Sequence, residues 1–207
     1  TDVQALELLL FYGIPRVDTN PIAHALLDRF GSLSQVLEAS PEELMKVPGV
    51  GENAALLLTL IPQMGRFYMV DRSSRVTILQ TLEQCANFLV PHFFGRKVET
   101  VFILCLDAKC KLLCCKELGE GGPNSTGVSI RKIVETAIGV NAATVVLAHN
   151  HPSGLAVPSA EDIQTTRRIA HALQAVEITL ADHIIVADGD YVSIAMSDDR
   201  FRDCLLI

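Results

Sequence analysis

The segment from Thr144 to Val186 constrains the fold of this chain more than any other part. Thr144 to Ala148 is an apolar run of buried-strand character, Ala160 to Ala175 carries an amphipathic helical pattern, and Ile178 to Val186 is apolar again. Strands separated by helices give an α/β sandwich, because each face of the sheet is then covered by a helix. Between the first strand and the helix stands His149-Asn150-His151-Pro152-Ser153-Gly154-Leu155-Ala156-Val157-Pro158-Ser159-Ala160-Glu161-Asp162, two imidazoles, a hydroxyl and a carboxylate within fourteen residues. Residues i and i+2 of a strand share a face, so His149 and His151 can converge on one ion, and the Pro-Ser-Gly turn brings Asp162 back to them. Two histidines and a carboxylate leave the fourth position of a tetrahedral zinc open to water, as in catalytic rather than structural sites. Ser159 to Asp162 also has the spacing of a capping box, and capping is compatible with ligation. A helix N-terminus facing the imidazoles lets Asp162 reach the ion and leaves Ser159 close to the open position.

Residues 1 to about 70 show no strand pattern and read as helices joined by short turns, with apolar clusters at Leu6 to Leu10, Ile22 to Leu27 and Leu33 to Leu37. Ser40-Pro41-Glu42-Glu43 combines an N-cap serine, a proline at the first helical position and a glutamate at the third, so a short helix starts at Pro41. Val47-Pro48-Gly49-Val50-Gly51 stops it, and a second helix runs from Asn53 to about Gln63, a helix-hairpin-helix pattern. Gly49, Val50 and Gly51 are candidates for gripping a DNA phosphate, since glycines admit a close backbone approach and the next helix offers free N–H groups. A tight turn with Val50 packed inward explains them equally well. Polar Arg72-Ser73-Ser74-Arg75 places a linker at about residues 70–76, between a helical domain over 1–70 and a second domain over 77–207. In the latter, Thr81 to Leu89 reads as a helix, Val98 to Leu106 and Cys110 to Leu118 as a hairpin about Asp107-Ala108-Lys109, and Ser129 to Ile138 as a helix ended by Gly139. The expected fold class is therefore α+β, an all-α N-terminal domain followed by an α/β sandwich.

A net charge of −7 argues against strong non-specific binding of nucleic acid, which needs clustered cations. Residues 1–72 are no exception, with 9 acids against 5 bases, so DNA contact through the helical domain is expected to be weak and local. No apolar run reaches the roughly 18 residues of a membrane span, and the first residues lack the features of a signal peptide. A soluble, cytoplasmic protein is expected, for a sequence that opens on Thr1 rather than Met. Cys105, Cys110, Cys114 and Cys115 lie in or beside strand-like runs and are best explained as buried thiols. A structural zinc on Cys110, Cys114 and Cys115 lacks a matching second pair.

The pattern H-x-H-x7-S-x2-D at His149, His151, Ser159 and Asp162 resembles the signature of the JAMM (also JAB or MPN) metal-dependent isopeptidase domain. Its form H-N-H-P-S-G with P-S-x-x-D is similar to the RadC family, a resemblance that extends over nearly the whole chain. That family also sets a helix-hairpin-helix-like domain before the JAMM domain and contains D-H-I-I-V, here Asp182 to Val186. The resemblance implies zinc held by His149, His151 and Asp162, and an oxyanion steadied by Ser159. It further implies a general base on an early strand, which by position is Glu99, with Glu135 as the rival. Such a base takes a proton from zinc-activated water and returns it to the leaving amine. Asp182 and His183 are candidates for orienting a ligand histidine, and being adjacent on a strand at most one of them faces the ion. One departure stands out: RadC-like sequences usually carry H-P-R-E where this chain has Ser129-Ile130-Arg131-Lys132.

The leading expectation is a zinc metallohydrolase cleaving a peptide or isopeptide bond in a peptide or protein-conjugate substrate. The alternative is a DNA-associated or partner-binding, repair-related protein whose zinc is mainly structural. A mononucleotide deaminase shares the mechanism, but the cysteine ligands of that signature are absent here.

Overall fold

The computed structural model of the chain describes residues 1–73, 78–121, 128–152 and 154–197. The end of the expected linker and Ser153 of the Pro-Ser-Gly turn lie outside these residues. The chain forms two compact units, Thr1–Tyr68 and Met69–Ile207.

The first unit holds α1 (Asp2–Gly13), α2 (Asn20–Phe30), α3 (Leu33–Glu38), α4 (Pro41–Leu44) and the start of α5 (Glu52–Ser73). Ser40 caps α4, its hydroxyl accepting from the Glu43 N–H at 3.3 Å, as the sequence pattern predicts. Leu6, Leu10, Leu26, Val36, Leu44 and Leu58 are fully buried at its centre. The α5 helix does not end near Gln63 but continues through Arg72. Pro62 and Gly65 are carried inside the helix, which ends in the polar Arg72-Ser73. In the hairpin turn Gly49 has φ +90°, and a Cβ there would come within 2.8 Å of Ile22 Cδ1. Val50 is buried in the same core, while Gly51 has open space around it.

The second unit contains α6 (Leu82–Leu89), a 3-10 turn (Val90–Phe93), β1 (Thr100–Leu106), β2 (Leu112–Glu120), α7 (Ile130–Gly139), β3 (Thr144–Asn150), α8 (Ala160–Gln174), β4 (Thr179–Ala187), β5 (Asp190–Ser193) and α9 (Ile194–Ser197). The strands form one sheet in the order β2-β1-β3-β4-β5. Its pairings are antiparallel except β3 with β4, the parallel pair that α8 connects. Every residue of β1 is buried, as a central strand covered on both faces requires. On one face Ile103, Val145 and Leu147 pack with Ile133 of α7 and with Ile169 and Leu173 of α8. On the other, Phe102, Leu104, Val146 and Ile184 pack with Phe88 and Leu89 of α6. The result is a mixed α/β architecture with helices on both sides of a five-stranded sheet, after an N-terminal helical region.

The cysteines divide between these layers. Cys114 packs with Cys105 on the α8 side, and Cys115 lies on the α6 side, its sulfur 3.8 Å from His92 Nε2. Burial pushes the Cys115 thiol up to about 12. The β5 strand is an addition to the sequence reading. Its hairpin turns on Asp188-Gly189, both with positive φ, between the paired Ala187 and Asp190. An Asp-Gly dipeptide is a strong hairpin signal and was available in the sequence. Among the described residues no helix is long and apolar enough to cross a membrane.

The hairpin turn gives a direct comparison. Gly49→Ala is expected to lower unfolding stability by about 1–2 kcal/mol, because an alanine there must take a left-handed φ. Gly51→Ala, with no neighbour to meet, is expected to lie within about 0.5 kcal/mol of the parent. Urea denaturation reads both, and equal effects would contradict the packing assigned to Gly49.

Candidate metal centre

The site lies at the C-terminal end of β3 and the N-terminal end of α8. Successive side chains of a strand alternate, so His149 joins Val145 and Leu147 on the α8 face of the sheet. His149 is wholly buried and Asp162, at the third position of α8, nearly so. His151 and Glu99 are half-buried. His151, just past β3, gives its N–H to the Val186 carbonyl of β4 at 2.8 Å, the next rung of the β3–β4 ladder. The four side chains meet. His149 Nε2 stands 2.9 Å from His151 Nε2, 3.3 Å from Asp162 Oδ1 and 3.7 Å from Glu99 Oε1, and His151 Nε2 stands 3.5 Å from Asp162 Oδ2.

Hydrogen-bond accounting fixes where the imidazole protons are. Thr166 Oγ1 lies 2.6 Å from the Asp162 carbonyl oxygen, which can only accept, so the Thr166 hydroxyl donates to it. The same Oγ1 lies 2.6 Å from His183 Nδ1 and, its single proton used, accepts from it. Burial pulls the His183 pKa well below the ordinary histidine value, so the ring is neutral and its Nε2 carries a lone pair. His149 Nδ1, 2.8 Å from that Nε2, must therefore be the donor, which leaves a lone pair on His149 Nε2. His151 Nδ1 sits 3.1 Å from the Leu155 carbonyl and must donate as well, which turns the Nε2 of that ring toward the cluster.

Two imidazole Nε2 atoms and two carboxylates thus come together. Two carboxylates so placed are stabilised by a cation among them. A proton on His149 is a poor candidate for it, since burial above all, against the pull of Asp162 and with help from nearby His151, lowers its pKa to about 4. A divalent metal fits the donor set: tetrahedral bonds of about 2.0–2.1 Å hold neighbouring donors about 3.3 Å apart. Glu99, His149 and His151 form a cluster that could hold a metal ion, and Asp162 approaches both histidines.

Each residue expected from sequence has a definite place. Ser159 caps α8: its backbone N–H and its hydroxyl donate to Asp162 Oδ2 at 2.8 and 2.6 Å, and Oγ accepts from the Asp162 N–H at 3.1 Å. The serine therefore aims the carboxylate at the histidines. Glu99 reaches the cluster. Burial pushes its carboxyl above the ordinary range, against the pull of His151 and with repulsion from Asp162. Glu135 does not reach it, being paired with Arg131 at 2.7 Å on the exposed face of α7. That pair also accounts for the arginine retained from the H-P-R-E pattern.

Of the two candidates on β4, His183 touches His149 and Asp182 does not. Asp182 Oδ1 instead accepts the N–H groups of His183 and Ala195 at 2.7 and 3.0 Å, tying β4 to the start of α9. Gly49, Val50 and Gly51 belong to the first unit. Val50 is buried there, and Lys46, the only base between Pro41 and Asn53, is paired with Glu43. Sequence reasoning missed Thr166 and Asn150, which only the strand pairings and helix register bring to the site.

The fold and this cluster define a JAB-type domain with a potential metal site, set behind a helical region. The family model of the RadC-like JAB domain matches residues 79–199. A UPF0758 protein of Paraburkholderia xenovorans is 34% identical over 195 residues, which cover 94% of this chain and 77% of that protein. A UPF0758 protein of Bordetella parapertussis is 37% identical over 195 residues, with 94% of this chain and 87% of the relative covered. The chain belongs to the RadC family.

The buried neutral histidines link stability to pH. With a native pKa near 4 against an ordinary value of 6.5, His149 takes up a proton on unfolding anywhere between. The stability this contributes is present in full above about pH 6.5 and is lost as pH falls toward 4; His183 acts in the same direction. For chelator-treated protein the urea midpoint should drop steadily from pH 7 to pH 5. A midpoint constant over that interval would contradict neutral, buried rings.

Proposed function

We propose that the protein is a zinc-dependent hydrolase of peptide or isopeptide bonds, with His149, His151 and Asp162 holding the metal and Glu99 acting as the general base. The observation behind this reading is the convergence of two imidazole Nε2 atoms and two carboxylates at the end of β3. Bound among those donors, zinc would lower the pKa of a coordinated water to about 7 and polarise a carbonyl placed beside it. The rest of the chemistry belongs to the chain. Glu99 is the more exposed of the two carboxylates, so it can meet both water and substrate. Its carboxyl, raised by burial, is suited to accept a proton from the attacking water and release it to the leaving amine. Asp162 is committed by two hydrogen bonds from Ser159 and suits a fixed ligand better than a proton carrier. The Ser159 hydroxyl must turn from Asp162 before it can steady an oxyanion, so its first task is to orient that ligand.

The reading places the protein in the cytoplasm, where buried thiols such as Cys85 and Cys105 would stay reduced. DNA contact through the hairpin forms no part of it, because Val50 is buried and Lys46 is neutralised by Glu43.

Purified protein is expected to carry about one zinc per chain, removable by chelator and lost in His149→Ala and Asp162→Ala; metal retained by both variants would remove the site. Glu99→Gln should keep the zinc while lowering hydrolysis of peptide or conjugate substrates by about 10²-fold or more. Activity undiminished in that variant would take the base role from Glu99. Ser159→Ala should weaken zinc binding by about 10-fold through loss of the Asp162 contact, whereas unchanged affinity would leave the serine only its capping role.

A further inference from the structure

The residue between the two histidines has a role of its own. Asn150 is buried, on the opposite face of β3 from His149. Its Oδ1 accepts the Thr100 N–H at 2.8 Å, and its Nδ2 donates to the Val98 carbonyl at 3.1 Å. The two partners settle the orientation of the carboxamide, since an N–H can only donate and a carbonyl can only accept. They are also the backbone groups on either side of Glu99.

The strand register explains why a side chain is needed there. The β1 to β3 ladder runs from Leu106 opposite Thr144 to Val101 opposite His149. Continued, it would set Thr100 opposite Asn150 and Val98 opposite Pro152. Proline has no N–H to offer the Val98 carbonyl, and the backbone of His151 serves the β4 ladder rather than β1. Backbone pairing to β1 must therefore stop just where Glu99 stands. The Asn150 carboxamide, which has the donor and acceptor of a peptide unit, fills the gap. From the other side the Gly121 N–H holds the Glu99 carbonyl at 2.6 Å.

We propose that Asn150 is a positioning residue for Glu99: its carboxamide stands in for the missing rung between β1 and β3 and holds the glutamate's backbone so that the carboxylate reaches the metal-binding histidines. This rests on the reading of Glu99 and the histidines as a metal centre. One tripeptide, His149-Asn150-His151, would then place two ligands on one face of the strand and fix the base from the other.

The test separates the clamp from the metal. In metal-free protein, hydrogen exchange at the Thr100 amide should quicken by about 10- to 100-fold in Asn150→Ala, while amides in the middle of β1 and β3 keep their protection. Asn150→Asp, which can accept from Thr100 but not donate to Val98, should keep the Thr100 amide protected while leaving the Val98 carbonyl to the Thr100 hydroxyl alone, 3.1 Å away. Loading with Co2+ in place of zinc then reads the effect on Glu99 in the visible spectrum. Asn150→Ala should move the spectrum in the same direction as Glu99→Gln, and the double variant should match Glu99→Gln alone. Unchanged exchange at Thr100 overturns the clamp. A wild-type Co2+ spectrum in Asn150→Ala, or changes that add in the double variant, overturn its action through Glu99. If none of the proteins, wild type included, takes up Co2+, the metal reading fails, and the exchange at Thr100 still decides whether the rung exists.

Discussion

The structure turns on the approach of two imidazole nitrogens, His149 Nε2 and His151 Nε2, to 2.9 Å, with carboxylate oxygens of Asp162 and Glu99 behind them. The surroundings are built to keep the arrangement. Thr166 and His183 fix a proton of His149 on the far side of its ring, and the Leu155 carbonyl does the same for His151. Each ring is thereby turned with its Nε2 toward the cluster, which is the orientation metal ligation requires.

The fold supplies this geometry through three elements. The end of β3 carries the histidines, the first turn of α8 carries Asp162, and the entry to β1 carries Glu99. The parallel pairing of β3 with β4 brings His183 beside His149. Pro152 cannot continue the ladder between β3 and β1, and the Asn150 carboxamide satisfies the backbone left beside Glu99. His149 and Asp162 sit on packed elements, β3 and α8, while His151 and Glu99 lie on the residues that border β3 and β1.

Much of this was legible in the sequence for physical reasons. The i, i+2 spacing of the histidines and the capping box at Ser159 are local, and local geometry determines where their side chains point. Glu99 lies fifty residues upstream, and no periodicity links it to the histidines; only the family resemblance selected it. Asp182 and His183 were indistinguishable in sequence, because which of two adjacent strand residues faces the site depends on the register with β3. Thr166 and Asn150 were invisible for the same cause. The α5 helix runs past the expected end at Gln63 with Pro62 and Gly65 in its interior, residues whose local propensities argue against a helix there. The β5 hairpin was passed over although Asp188-Gly189 marks it.

The proposed metal site is made of the two converging imidazoles and of carboxylate. X-ray absorption on zinc-loaded protein tests this most directly. Expected is a shell of nitrogen and oxygen at about 2.0–2.1 Å, with the outer scattering of two imidazoles. Zinc surrounded by sulfur at about 2.3 Å would place the metal among the cysteines instead and contradict it.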